Sequence, residues 1–531
     1  MSAAAQSGAV SAPAPSQGWS LVFALSCIVL LLAALGQRLT ATLNHDSAWY
    51  LDATSRWLEG AVLYRDIMEV NPPLAFFLTA PALWLADASG LSPVVAFVVY
   101  VFALIALSLS LVVLLLGDAA VGSARPRRRL LLLGGFCALA VVPAGDFGQR
   151  EHLMVVLVLP YIVLVGGRPA GDACAAGLTI VIGCLAGLGL CLKPHFFLLP
   201  IGLELYLLMR TRSLARLFRA ETLALGATVA AYGLTVVLAT PDYLTRILPI
   251  AFEVYEGAYR TPLGAFVWSS RGWLILLALS LLLYRLLRPQ LQRRGFADAA
   301  CIAALCFFAI FCVQMKGWSY QFYPVLAALT LLAAACLGEE GAGERAAGLG
   351  LRRIAVSVLI LTLVIGETVL ARSGPRYALA HQLAPILRDE AAGEAIYVFA
   401  SNVSASYPMV TYSGVRSASR YPAHWLLPGL LRARAASGDS PRLRDVERFL
   451  RDSVVEDLMR DPPALVLVDD RPQKSYFGGI DFDYLDYFLA DPRFAEIWSG
   501  YEKLTRIGGF DVFRRSAGEE TRLRPPVGAR S

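Results

Sequence analysis

The chain has 531 residues, 57% of them apolar and 17% charged, with a mean hydropathy of +0.57. That balance excludes an ordinary soluble globular protein. The formal charge of +6 comes without a basic stretch interleaved with aromatics, so nucleic acid is not an expected partner. The nine cysteines all fall in apolar runs with no C-x-x-C pair, and read as small buried hydrophobes.

In chain order, residues 1–18 carry no charge and are rich in Ala, Ser, Pro and Gly, which predicts a disordered tail. The run that follows lacks the basic flank of a signal peptide and predicts an uncleaved first span. Apolar runs then recur near 19–36, 92–117, 130–145, 153–167, 173–191, 196–209, 222–240, 271–287, 299–314, 322–337 and 353–371. A helix of about 20 residues crosses ~30 Å of hydrocarbon, so the expected fold is a polytopic α-helical membrane protein of about 11 transmembrane helices. Four connections are short and Arg-rich, near 125, 210, 288 and 348. The positive-inside bias assigns them to the cytoplasm. The N-terminus is then cytoplasmic, and 37–91, 145–152, 192–195, 241–270, 315–321 and everything after 372 face outward.

The segment 71–90 is apolar for a shorter stretch and contains Pro72, Pro73 and Pro81. It is expected to lie in the interface or dip partway into the bilayer. In "HDSAWYLDATSRWLE", Trp49, Ala53 and Trp57 recur every four residues and share one face of an interfacial helix. Asp52 and Arg56 read as a surface i,i+4 pair. Asp46 has two readings, an N-cap or a chemical role, and the stretch alone leans to the cap.

Residues 372–531 are much less apolar. "EAIYVFA" and "PALVLVDD" predict buried strands, "SPRLRDVERFLRDSVVEDLMRD" a helix, and "YEKLTRIGGFDVFRR" a hairpin turning at Gly508-Gly509. Together they predict a small α/β soluble domain outside the membrane. The acids of "DFDYLDYF" lack the glycine of a calcium loop and read as a solvated acidic helix.

Several polar groups sit where a plain membrane helix would not put them. Only four lysines occur, and Lys193 ("CLKPHFF") and Lys316 ("QMKGWSYQFYP") stand at expected outer helix ends beside His195 and Tyr320. Snorkelling anchors are one reading and anion contacts the other. Asp146, Arg150, Glu151 and His152 are packed against another apolar run, where ionisable groups are costly enough to suggest a role. Asp46, Glu151, Lys193 and Lys316 would be explained together by one outward-facing polar cavity.

Five motifs in this order carry a resemblance: an acid opening the first external loop ("HDSAWYL"); "L-x-G-x-x-L-Y-x-D" running into "EVNPPL"; a short acidic second loop ("GQREHLM"); K-P after a mid-chain span; and "KGWSYQFYP" before a late one. The chain resembles the GT-C glycosyltransferases that use lipid-linked donors, in the branch of protein O-mannosyltransferases and the aminoarabinose transferase of lipid A. The family pattern often places two acids side by side in the first loop, where this chain has Asp46-Ser47, and commonly Asp in the second loop, where it has Glu151.

The resemblance implies a catalytic unit over 19–371 and an inverting transferase. It would move a sugar from a polyprenyl phosphate to an envelope glycan, lipid or protein at the outer face of a bacterial inner membrane. It implies Asp46 as general base, Glu151 orienting the acceptor or holding Arg150, and Lys193, Lys316 and Arg150 on the donor phosphate. His45, Trp49, Tyr50, His152, His195, Tyr259 and Tyr320 become possible substrate contacts. A divalent metal ion is a possible cofactor, with Glu69 its weak candidate ligand. The segment 241–271 either closes over the site or forms an interfacial aromatic belt. A transporter or lipid flippase is the competing class, disfavoured because the ionisable groups cluster at helix ends rather than at mid-membrane and no internal repeat is found.

Overall fold

A computed structural model of the chain describes residues 17–117, 124–168, 174–291, 294–338, 354–362, 364–366 and 377–516. Apart from Gln17 and Gly18, which begin the first helix, the expected disordered tail lies outside them.

The helices of the apolar part are α1 (Gln17–Thr40), α2 (His45–Leu58), α3 (Leu74–Ser89), α4 (Pro93–Leu116), α5 (Ala124–Phe136), α6 (Arg150–Gly167), α7 (Ala176–Cys191), α8 (Leu198–Thr211), α9 (Ala220–Ala239), α10 (Leu263–Leu287), α11 (Gly295–Gln314), α12 (Ser319–Leu337) and α13 (Ile354–Gly366). Each of the eleven expected runs falls on one of them. By length and apolarity, α4, α6, α9, α10, α11 and α12 can cross a membrane, and shorter apolar helices occupy Ile28–Thr40, Leu74–Ser89, Ala176–Cys191 and Ile354–Gly366.

Burial separates these helices. Every residue of α6 is buried and α12 is nearly as enclosed, whereas most of α9 is exposed, so α6 and α12 form the centre and α9 the rim. The starts are written locally: Ser92 accepts from the amide of Val95 and Pro93 follows at the first helical position, just after α3 closes on left-handed Gly90. Of the eight described cysteines, only Cys191 and Cys336 are fully buried. The other six are half-buried, so the expectation of uniformly buried cysteines is corrected. Lipid-facing helices can carry a thiol at their flanks because it is weakly polar.

Two segments differ from expectation. The expected outer loop 241–270 is largely helical, with π-helical turns at Tyr243–Ile247 and Ala251–Tyr255, and α10 already begins at Leu263. The polar Ser269-Ser270-Arg271 interrupts the apolar pattern without breaking the helix. After α5 the chain winds as a π-helix over Cys137–Val141, which loosens the usual backbone ladder. Side chains from three helices take up the carbonyls there: Arg38 donates to Ala140, Tyr323 to Ala138 and His152 to Leu139.

The C-terminal part comprises α14 (Ala378–Glu390), β1 (Ala395–Phe399), β2 (Arg416–Ser417), α15 (Leu426–Ser437), α16 (Pro441–Arg460), β3 (Leu465–Asp469), β4 (Tyr501–Ile507) and β5 (Phe510–Arg515). The sheet order is β2-β1-β3-β5-β4, parallel across the first three strands and antiparallel beyond. β1 and β3 are buried along their whole length, matching their unbroken apolar sequences. Gly508 and Gly509 both have positive φ, the two-residue turn that suits the twist of β4 and β5. Asp483 caps a short helix through the amide of Asp486, a structural use of that acidic run.

This part is clamped onto α2 and the segment after it. Tyr407 donates to Asp52 at 2.8 Å, Arg56 donates to the Ser419 carbonyl, and the Met68 amide donates to the Arg420 carbonyl at 2.7 Å. Two expectations are corrected here. Asp52–Arg56 is a 3.8 Å pair within α2, half-buried where the C-terminal part packs on that helix rather than on an open surface, and burial pushes the Asp52 carboxyl upward. Trp49 is 2% exposed, so it is no interfacial anchor. Its indole is covered by Tyr407 and its N–H is held by Glu69.

Candidate active site

Between the ends of the helices and the C-terminal sheet lies a cavity of about 640 Å³, a size ordinary for small-molecule sites. Its floor includes the first turn of α2, residues 69–71, Asp146, Arg150, Tyr255, Tyr259 and 317–320; its roof includes Tyr377, 401–405, Trp425, Arg471, Ser475 and Tyr476. Segments far apart in sequence thus meet at one end of the bundle.

Asp46 stands on the floor in the first turn of α2. It is not the cap: Asn44 occupies that position, its Oδ1 accepting from the Asp46 amide at 2.9 Å and from Gln149 Nε2 at 2.5 Å. The carboxylate of Asp46 is therefore available to the cavity, with Oδ2 3.3 Å from Arg150 Nη2 and Oδ1 3.6 Å from His45 Nε2. Arg150 also donates to the Tyr50 hydroxyl at 3.1 Å. Asn44, Asp146 and Gln149 link the first turn of α2 to that of α6, so the acid and the guanidinium are held as one unit.

Behind that wall, Lys193 Nζ lies 2.5 Å from Glu151 Oε1, and both side chains are almost fully buried. Burial pulls the Lys193 ammonium down to about 8, with Glu151 opposing. Burial likewise lowers His195 to about 3, with help from Lys193 and Lys316, so it is neutral. Lys316 Nζ sits in an aromatic box, 4.2 Å from the Tyr255 ring centre, 5.1 Å from Trp318 and 6.0 Å from Tyr259.

No family model matches the chain, and no curated protein matches it in sequence. Solved structures do. The crystal structure of ArnT from Cupriavidus metallidurans bound to undecaprenyl phosphate aligns over 96% of this chain and all of its own, with TM-score 0.55 and 15% identity. The apo form aligns over 96% of this chain and 99% of its own, with TM-score 0.57 and 16% identity. The chain has the ArnT-like GT-C fold. The resemblance carried by the five motifs is met at the level of fold, across nearly the whole length.

Within this ArnT-like framework the expected site residues divide. Asp46, His45, Trp49, Tyr50, Arg150, Tyr259 and Tyr320 line the cavity. Glu151, Lys193, Lys316, His152 and His195 are not on its wall. Glu151 and Lys193 support it from behind, and Lys316 and Lys193 lie against the wall residues Trp318 and Tyr320. His152 as a substrate contact is corrected: it is fully buried, Nδ1 accepts from the Gly148 amide and Nε2–H donates to the Leu139 carbonyl. Its work is to pin the π-helical turn.

Glu69 does not present a metal site. Its Oε2 accepts from Trp49 and its Oε1 from the Asn71 amide and side chain. Among the described residues no three His, Cys, Asp or Glu side chains converge on one point. No step is therefore routed through a metal.

Sequence reasoning missed the entire roof; on the floor it singled out Asp146 but missed Asn44, and it missed Gln149, which bonds Asn44 from beside the wall. For Asn44 a signal existed, since Asn directly before a helix is a strong cap. For Tyr377 and Tyr476 there was none: both hold positive φ, which a tyrosine rarely adopts and no sequence pattern announces.

Proposed function

We propose that the chain is an inverting glycosyltransferase that moves a sugar from a polyprenyl-phosphate donor to an envelope acceptor. All eleven apolar runs cross a bacterial inner membrane in this reading, with the N-terminus cytoplasmic and the C-terminal domain periplasmic. The observation that carries it is the Asp46–Arg150 pair on the floor of a large cavity in a fold shared with a protein crystallised with undecaprenyl phosphate. Fold alone does not fix chemistry; the pairing of an acid with a guanidinium at that floor supports it.

In this reading Asp46 takes the proton of an acceptor hydroxyl as its oxygen bonds to the anomeric carbon. The bond from that carbon to the phosphate oxygen breaks on the opposite face, and its electron pair leaves with the phosphate. Arg150 and Lys316 stabilise the charge that builds there, an effect strengthened in a site poor in water. Glu151 holds Arg150 by attraction, while Lys193, paired to Glu151, adds positive potential from behind. The placement of ionisable groups at the ends of the bundle rather than at its middle weighs against a transporter.

The test is chemical. Envelope glycans of a deletion strain and its parent, compared by mass spectrometry, should differ by one sugar, restored by the wild-type chain and not by Asp46→Asn. Identical glycans, with no transfer by purified protein from any of a panel of polyprenyl-phosphate sugars, would sink the reading.

A further inference from the structure

Roof and floor of the cavity are built from different chemistry. The floor holds Asp46, Glu69, Asp146 and Arg150, while the only charged side chain on the roof wall, among the described residues, is Arg471. Arg471 is already committed: Nε and Nη2 each donate to Asp469 at 2.7 Å. A second anion would have to compete with a bidentate pair.

What the roof offers instead is neutral hydrogen bonding beside an aromatic face. Asn402 Oδ1 accepts from the amide and hydroxyl of Ser404, but its Nδ2 meets no protein acceptor among the described residues. The hydroxyls of Ser475 and Tyr476 likewise make no hydrogen bond within the described residues. The indole N–H of Trp425, a wall residue 5% exposed, is also without a partner among the described residues. The Trp425 N–H is buried, and buried donors are rarely left so; Asn402, Ser475 and Tyr476 are half-buried with uncommitted polar atoms, so the wall is complementary to a ligand rich in hydroxyl groups.

Tyr476 adds a second observation. Its backbone is left-handed at φ 70°, a conformation costly for a residue with a side chain and retained where the surroundings enforce it. Its ring lies 4.7 Å from Tyr259 and 6.2 Å from Trp318, centre to centre, completing an aromatic wall between roof and floor.

We propose that the roof is a seat for a neutral carbohydrate, with Asn402, Ser475 and Trp425 bonding its hydroxyls and Tyr476 covering one sugar face. Given the transferase reading, on which the word acceptor rests, the acceptor is a neutral glycan hydroxyl presented from the roof to Asp46 rather than a phosphorylated group.

The experiment uses the full chain in nanodiscs. Maltotriose and glucose 6-phosphate are the carbohydrate probes, followed by saturation-transfer NMR; undecaprenyl phosphate is the donor-side probe, followed by native mass spectrometry. Tyr476→Gly removes the ring at a φ glycine adopts freely, and Ser475→Ala removes one hydroxyl. Each should weaken maltotriose at least fivefold and leave undecaprenyl phosphate binding unchanged; Lys316→Ala should do the reverse. Equal maltotriose binding by wild type and both variants, no maltotriose binding by wild type, or tighter binding of glucose 6-phosphate would overturn the proposal. Carbohydrate binding in a protein that transfers no sugar would instead refute the transferase reading and leave the seat standing.

Discussion

Asp46 and Asp52 lie on the same helix six residues apart, yet only Asp46 reaches the cavity; Asp52 is turned to Tyr407 and Arg56. The difference is decided by what packs on each face, so the two acids have different expected phenotypes. Asp46→Asn should reduce glycosyl transfer by roughly 10²–10⁴-fold, the usual worth of a general base, with the protein still folded by thermal unfolding. Lys193 gives the pH dependence. Burial lowers it to about 8, so its charge is present below that value and lost as pH rises through it. Donor kcat/KM, which reports the free enzyme, should therefore fall above about pH 8. Lys193→Arg should remove that limb, because a guanidinium stays charged there. A profile that stays flat in the wild type well above 8 would show that Lys193 contributes no charge to the donor step.

At the level of elements, the cavity depends on how tightly α15 is pressed onto the segment before α10. A Cβ at Gly429 would collide with the carbonyl of Val254, so this is a close approach only glycine permits. Gly429→Ala should cost about 1–3 kcal/mol by overpacking, read as a lowered unfolding midpoint. It should also weaken donor binding, since Tyr255 and Tyr259 follow directly and frame Lys316. Tyr407→Phe removes the hydroxyl that donates to half-buried Asp52 and should cost about 1–3 kcal/mol, the order expected for a hydrogen bond to a charged group. Unchanged melting of both variants would mean the two parts are not held by these contacts. The π-helical turns belong to the same scale. Cys137–Val141 frees carbonyls that Arg38, His152 and Tyr323 take up, and the chain then arrives at Asp146 and Arg150 on the cavity floor.

For the whole molecule, charge is sorted to two ends. One end carries the cavity. The other carries buried ion pairs at the Arg-rich connections: Arg168 and Arg219 converge on Glu221, and Arg288 on Asp298. Arg168→Ala would leave Glu221 buried with a single cation and should destabilise the protein by about 2 kcal/mol, less than the loss of an only partner. The proposed sidedness predicts a labelling pattern. In a cysteine-free background, Ser404→Cys should react with a membrane-impermeant maleimide added outside intact cells, and Ser213→Cys should not. The opposite pattern would invert the topology and put the cavity in the cytoplasm.

The sequence by itself determined the apolar helices and their order, the two central strands and the hairpin of the C-terminal part, and the short list of polar groups at helix ends. These are local properties: apolar run length, caps, paired glycines and the cost of a charge beside hydrocarbon all act over a few residues. Only the tertiary structure decided which of those groups share a wall. Asn44 rather than Asp46 caps α2, His152 braces a π-helical turn, Glu151 and Lys193 stand behind the cavity, and a roof of mostly neutral side chains comes from residues more than 300 positions away from Asp46. Such choices depend on contacts between segments distant in the chain, and no residue's neighbours in sequence carry the energy of those contacts.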